Sequence, residues 1–139
     1  MALRKIIILL IPLFFLISCN KLNREGNNDD NYYVKYIAYE NSSRIMLTDV
    51  TINTSDGIMS FPASSEFEKT IGPVKKGFKA SITVNGKGYS GNPAYIEIHV
   101  RKNNEPFAIK VVEEGDVGTG INDVGYGYIH TAYVIGSDE

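Results

Sequence analysis

The side chains able to do acid–base or metal chemistry are few and scattered. His99 and His130 are the only imidazoles. They lack the HxH or HxxxH spacing that gathers ligands for a structural zinc ion, which takes about three or four protein ligands. A serine hydrolase needs a nucleophile held by a base that an acid orients, but Ser90 sits in Gly88-Tyr89-Ser90-Gly91, which is not a Gly-x-Ser-x-Gly elbow. Gly86, Gly88 and Gly91 do not have the spacing of a phosphate-cradling or dinucleotide-binding loop and read as a turn between strands. Asp116, Asn122 and Asp123 offer oxygens to calcium. That ion collects about six to eight oxygens and the spacing is not that of an EF-hand, so the segment reads as a linker. The residues define no catalytic set, metal site or cofactor motif, and the chain reads as a non-enzyme.

Tyrosine is the unusual component: nine Tyr and six Phe accompany no Trp. A phenol pairs a flat apolar ring with a hydroxyl, which suits recognition surfaces as well as wet edges of a core. Tyr32, Tyr36 and Tyr133 are expected in the core or in cross-strand pairs. Tyr89, Tyr95 and Tyr126 are the candidate ligand-facing rings, for a glycan or other small molecule.

These residues must be carried by a chain whose first part is not globular. Arg4 and Lys5 precede an apolar run from Ile6 to Ile17, broken only by Pro12, then Ser18 and Cys19. Positive charge, a short apolar core and a small residue before a cleavage point make a secretory signal over residues 1–18. The run falls short of the ~20 apolar residues that cross a bilayer. Leu16-Ile17-Ser18-Cys19 resembles the bacterial lipobox, and the resemblance implies that the Cys19 thiol carries a diacylglyceryl group and becomes the new amino terminus. Cys19 is the only cysteine, so it has no partner within the chain. At about 0.8 kcal/mol per buried CH₂, two or three acyl chains hold a protein firmly on a membrane. The expected location is the bacterial cell envelope, on the outer membrane, facing either the periplasm or the exterior.

Cleavage takes away Arg4 and Lys5 and no acid, leaving 12 basic residues against 16 acidic ones, net −4. That balance argues against nucleic-acid binding, which needs a basic face. Residues 19–31 contain NKLNREGNNDDN after the cysteine. With one aliphatic residue they cannot repay the entropy of ordering and read as a flexible tether. Asp29-Asp30 resembles the acidic cue for surface export of some lipoproteins, though solvating a tether explains it too.

From residue 32 to 139 no helical spacing appears, while alternating and β-branched segments recur between Gly, Asn and Pro clusters. Tyr32–Glu40 is apolar on both faces, as in a central strand. In Arg44–Asn53 the apolar phase changes from Ile45 and Leu47 to Val50 and Ile52, which predicts a bulge near Thr48 and Asp49. Asp56-Gly57 turns into Ile58–Pro62, and Glu66–Ile71 is a short charged strand stopping at Gly72-Pro73. Gly77–Asn85 alternates cleanly, with Phe78, Ala80, Ile82 and Val84 inward. Tyr95–Arg101 points Ile96, Ile98 and Val100 inward, with His99 at the surface. Phe107, Ile109 and Val111 answer it across a longer loop at residues 102–106. Gly115–Gly127 is expected to be a loop, and Tyr128–Ile135 closes the sheet. Seven or eight short strands predict an all-β fold, a single antiparallel β-sandwich of immunoglobulin-like form, with a small barrel as the other architecture.

Val34-Lys35-Tyr36, the block Gly72-Pro73-Val74-Lys75-Lys76-Gly77-Phe78-Lys79-Ala80, and Ile96-Glu97-Ile98-His99-Val100 with Glu105-Pro106-Phe107 together resemble MmpS-like membrane-anchored proteins and the small lipoproteins of Bacteroidetes-type gut bacteria. The resemblance covers most of residues 32–112. It implies an immunoglobulin-like sandwich outside a membrane and, for MmpS, an accessory role to an exporting transporter. This chain departs in having a lipid anchor in place of a membrane helix and no paired cysteines. The resulting expectation is a lipid-anchored module that binds an envelope protein partner or serves an envelope complex, with a glycan or small ligand as the other reading and a hydrolase as the third.

Overall fold

In the computed structural model, residues 30–138 are described, and they contain strands, turns and loops with no helix. Cys19, the expected signal sequence and nearly all of the expected tether lie outside the described residues. Eight strands follow in order: β1 Tyr32–Glu40, β2 Ile45–Thr54, β3 Gly57–Pro62, β4 Glu66–Val74, β5 Lys79–Gly88, β6 Pro93–Lys102, β7 Ala108–Asp116 and β8 Gly125–Val134. They make two antiparallel four-stranded sheets, β4-β1-β6-β7 and β3-β2-β5-β8, rather than a closed barrel.

Alternation explains the core. Tyr32, Val34, Tyr36 and Ala38 of β1 and Ala94, Ile96, Ile98 and Val100 of β6 are buried on the first sheet. Leu47, Val50 and Ile52 of β2 and Ala80, Ile82 and Val84 of β5 are buried on the second. β1 and β6 are internal strands, as are β2 and β5. The bulge in β2 lies between Leu47 and Asp49, where the register against β5 shifts. Thr48 is the extra residue that lets both apolar phases face inward. The Tyr36 hydroxyl donates to the Asn53 carbonyl at 2.8 Å, so the largest wholly buried side chain leaves its polar atom satisfied. Burial pushes this phenol well above the ordinary tyrosine range.

Four sequence expectations need correction. β4 does not stop at Ile71 but runs through Gly72-Pro73 to Val74, with a register shift opposite Tyr32 and Val34. Gly72 has φ +133° and no space for a Cβ beside the Tyr32 carbonyl, and Pro73 is tolerated because β4 is an edge strand. In β7, Ile109 is opposite His99 while Val111 is opposite Ile98, with Lys110 extra between them. That bulge exchanges the faces, so Val111 packs on the core and Ile109 is outside and 59% exposed. His99 does face away from the core, yet its side chain is only 13% exposed. Large neighbours on the outer face cover it, Lys35 directly opposite and Glu97 on its own strand.

The fourth correction concerns glycines. Gly86 and Gly88 are not a turn but the far part of β5, and the loop expected over Gly115–Gly127 shrinks to residues 117–124 because β7 reaches Asp116 and β8 begins at Gly125. Gly86 pairs with Gly127 and Gly88 with Gly125 across the two strands. These four positions have no side chains on the inner face, and the 117–120 segment crosses there. A Cβ on Gly86 would meet Val117 at 2.6 Å, and one on Gly88 would run into the Arg44 carbonyl. Val117 is wholly buried and closes that end of the core. Only Gly91, with φ +76°, belongs to a turn as expected.

The strand directions give the molecule two distinct ends. The chain enters at Asp30, beside Lys102 and Asn103, and β1 then carries it about 30 Å at roughly 3.3 Å per residue. The opposite, far end gathers the β1–β2 turn, the start of β6, the end of β5 and the 117–124 loop.

Candidate functional site

The structure separates the three ligand-facing tyrosines proposed from sequence. Tyr95 is on the outer face of the first sheet, half-buried and stacked on Tyr39 at 5.2 Å and 16°. Tyr89 and Tyr126 are both exposed on the second sheet near its far end. Tyr95 therefore does not share a surface with the other two. Tyr32 and Tyr36 are buried and Tyr133 packs partly against the core, as expected.

The outer face of the first sheet is internally paired. The Arg101 guanidinium lies over the Tyr33 ring at 4.5 Å and the Phe107 ring at 5.1 Å, and the Lys35 ammonium over Phe107 at 5.1 Å. The Tyr39 hydroxyl donates to a Glu97 carboxylate oxygen at 3.2 Å, and the other Glu97 oxygen meets His99 Nε2. Burial, reinforced by the Glu97 carboxylate, holds the Tyr39 phenol above its ordinary value. These groups spend their bonding capacity on one another.

The other titratable residues do not assemble a reaction centre. His130 is on the second sheet and shares a hydrogen bond with Thr83 Oγ1 through Nδ1 at 2.8 Å, and no acid is bonded to its ring among the described residues. His99 has Glu97 but no serine hydroxyl, and Ser90 lies at the far end, where its N–H donates to the Gly120 carbonyl. Asp116 accepts from the Gly91 N–H at 3.0 Å and Asp123 from the Val124 N–H at 2.7 Å. Both carboxylates are thus engaged in shaping loops. Among the described residues no three His, Cys, Asp or Glu side chains gather as a metal site.

What the second sheet does assemble is a block of outward-facing side chains at its far end. Met46, Lys87 and Tyr126 are cross-strand neighbours in one row. Arg44, Tyr89 and Val124 precede or follow them by two residues in the same phase, one row further out. A shallow groove of about 300 Å³ is lined by Arg44, Met46, Lys87, Tyr89 and Val124 together with Ser43 and the buried Ile45 and Gly88, and Tyr126 stands beside it. Tyr126 is 71% exposed and Tyr128, the next outward residue of β8, 68% exposed. Ile121 on the adjoining loop stands in solvent as well.

Local sequence builds this block. Asn85-Gly86-Lys87-Gly88-Tyr89 and Val124-Gly125-Tyr126-Gly127-Tyr128 each alternate glycine with a large residue. The glycines face inward against the crossing loop, so the large residues face outward on a backbone that is supported from behind. Thr119 Oγ1 ties the loop to the Tyr126 carbonyl at 3.0 Å. Sequence reading found Tyr89 and Tyr126 but missed Arg44, Met46, Lys87, Val124 and Tyr128. The twin glycine alternation was the signal that could have found Lys87, Val124 and Tyr128, whereas Arg44 and Met46 join the block only through cross-strand register.

Two other hollows are less suited to recognition. One of about 460 Å³ lies along β1 and β4, lined by Ile37, Ala38, Tyr39, Glu66, Phe67 and Glu68, and its two rings already contact Tyr95 and Phe61. The other, about 140 Å³, lies at the entry end around Tyr133, Lys110 and Asp138, which are bonded to one another. There the Lys110 ammonium and then the Tyr133 hydroxyl hold the exposed Asp138 carboxyl below its ordinary value.

Compared with known proteins, the chain matches no family model, no curated protein and no solved structure.

Proposed function

We propose that the chain is a lipid-anchored, non-enzymatic binding module of the bacterial envelope, held through Cys19 and engaging an envelope protein through the far end of its second sheet. The single observation behind the binding surface is the collection of Arg44, Met46, Lys87, Tyr89 and Val124 around one groove, with the exposed Tyr126 beside Lys87 in the same row. Arg, Met and Tyr are the types enriched where proteins meet. The groove also lies at the end away from Asp30, where the chain leaves toward Cys19. A membrane at the tether would therefore leave it accessible. For the anchor the support is the lipobox-like sequence together with the absence of any second cysteine.

In this reading the fold is a sandwich of immunoglobulin-like size with its own strand order. β1 pairs with β4 and β6 but not with β2, unlike the immunoglobulin arrangement in which the first two strands share a sheet. The MmpS-like resemblance contributes only the idea of a two-layer domain held outside a membrane.

The test is a pull-down from detergent-solubilised membranes with the full-length protein and a Met46→Asp variant. A stoichiometric partner captured by the first and lost with the second is the expected result. Equal capture by both would sink the assignment of this surface. Mass spectrometry of the mature amino terminus tests the anchor independently, since an unmodified Cys19 would remove it.

A glycan is the second reading, favoured by Tyr126 and Tyr128 beside the polar row of Asn85, Thr83 and His130.

A further inference from the structure

We propose that the far-end groove receives an acidic, apolar-anchored protein segment, with a carboxylate side chain of the partner lying between Arg44 and Lys87 and its apolar neighbour on Met46, Tyr89 and Val124. This rests on the reading of that face as the partner-binding surface, and it adds the chemistry of what is bound.

The inference comes from charge in a place where the chain's balance predicts none. Lys and Arg number 14 against 16 acids over the whole sequence, yet the groove is edged by Arg44 and Lys87 and lined by no carboxylate. Neither cation forms an ion pair among the described residues. Three acids of the turns and loops at the same end are bonded within the chain. Glu40 accepts from the Ser42 N–H, Asp116 from the Gly91 N–H, and Asp123 from the Val124 N–H. Asp49, in the row next to Met46 and Lys87, takes Thr48 Oγ1 and Asn85 Nδ2. These four carboxylates shape turns and cross-strand contacts, while the two cations form no ion pair among the described residues.

The arrangement also fixes a pattern. In one row Lys87 stands between Met46 and Tyr126, and in the next Tyr89 follows Arg44. Cations and apolar side chains thus alternate across the block. A strand-like or looped segment that alternates Asp or Glu with aliphatic or aromatic residues offers the complementary alternation. Arg44 adds a planar fork that fits a carboxylate in bidentate fashion, which Lys87 cannot do. A neutral polyol would leave both cations without a partner, which is why a protein segment is preferred to a neutral glycan here.

The experiment is selection of random displayed dodecapeptides on the full-length protein purified from membranes. The selected peptides are then titrated against wild type, Arg44→Glu, Lys87→Glu and the conservative Arg44→Lys. The expected peptides are enriched in Asp or Glu next to an apolar residue. Their affinity should fall ~10-fold or more with either reversal and between about 50 and 500 mM salt, the range over which exposed charges are screened. Arg44→Lys should retain more binding than Arg44→Glu. Unchanged thermal unfolding of the reversal variants separates lost binding from lost fold, since both side chains are on the outer face.

Peptides without acidic enrichment, or acidic peptides indifferent to both reversals, would overturn the proposal while leaving the surface assignment intact. If no peptide is selected but membrane capture still depends on Met46, the acidic segment is likewise wrong and the surface stands. A neutral oligosaccharide bound in its place, with loss on Tyr126→Ala and no response to either reversal, would have the same meaning.

Discussion

The two outer faces of this molecule carry similar residues in different states. On the first sheet, Tyr33, Tyr39, Tyr95 and Phe107 are each stacked on a ring or covered by a cation, and Glu97 serves both Tyr39 and His99. On the far end of the second sheet, Tyr126 and Tyr128 have neither ring contact nor side-chain hydrogen bond among the described residues, and Arg44 and Lys87 have no counter-charge. An aromatic ring paired within the chain contributes to the fold, whereas an unpaired one keeps its apolar face for another molecule. Tyrosine content alone could not distinguish the two uses, because the distinction lies in the neighbours.

The largest effect should come from removing what holds the second face flat. Gly88 has φ +151°, and a Cβ there would strike the Arg44 carbonyl and Ile45. Gly88→Val combines strain with overpacking and should cost about 2–5 kcal/mol in denaturant unfolding. It should also displace Arg44 and Tyr89 and abolish partner capture. Unaltered stability would mean that the close approach of Gly88 to Arg44 and Ile45 does not hold this face.

Removing outward-facing side chains of the block should separate binding from stability. The double substitution Met46→Ala with Tyr126→Ala takes away side chains that pack on little, so unfolding should move by no more than about 0.5 kcal/mol. Partner affinity should fall ~10-fold or more, equivalent to about 1.4 kcal/mol. A clear loss of stability with binding retained would reverse the comparison between the faces.

Arg101→Ala is the mirror experiment on the first face. Its guanidinium covers Tyr33 and Phe107, each such contact being worth about 0.5–1 kcal/mol where exposed. Its Nε is buried without a hydrogen-bond partner, which offsets part of that gain. The net cost should be about 1 kcal/mol in urea unfolding, with partner capture untouched. Arg101→Lys should recover only part of it, because an ammonium does not stack as a planar guanidinium does. Loss of capture on Arg101→Ala would place the working surface on the wrong sheet.

Much of the fold was legible because alternation is written directly into the inner strands. Ala80-Ile82-Val84 and Ile96-Ile98-Val100 are buried as their phase requires, and the phase change at Thr48 marked a real bulge. Periodicity failed where a bulge had no signature, since Phe107, Ile109 and Val111 look like one face until Lys110 is inserted between them. It failed again at glycines, whose usual meaning is a turn. Gly86, Gly125 and Gly127 are strand residues whose missing side chains make room for the 117–120 crossing, and Gly88 is one whose missing side chain makes room for Arg44 and Ile45; for Gly86 and Gly88 that requirement comes from a segment remote in sequence. The candidate site was half visible for the same reason. Tyr89 and Tyr126 could be chosen by residue type, but Met46 and Lys87 join Tyr126 only through cross-strand register.

The smallest effect is a titration that probes how closed the first face is. Tyr39 is held above the ordinary tyrosine value of 10.0, first by burial and then by the hydrogen bond and negative charge of Glu97. A group whose folded pKa is raised contributes stability that is fully present below the unfolded value and is lost as pH rises through the folded one. Stability should therefore decline above pH 10, to which the buried Tyr36 adds in the same direction. Residue-specific NMR of the ring carbons separates the two phenols. Glu97→Gln should move the Tyr39 midpoint down while leaving it above 10.0, because burial is the larger cause and survives the substitution. A midpoint at or below 10.0 in the wild type would show that Tyr39 is as open to solvent as a free tyrosine, and a midpoint unmoved by Glu97→Gln would show that the carboxylate does not reach it. Either result would erase the self-paired character that sets the first face apart from the second.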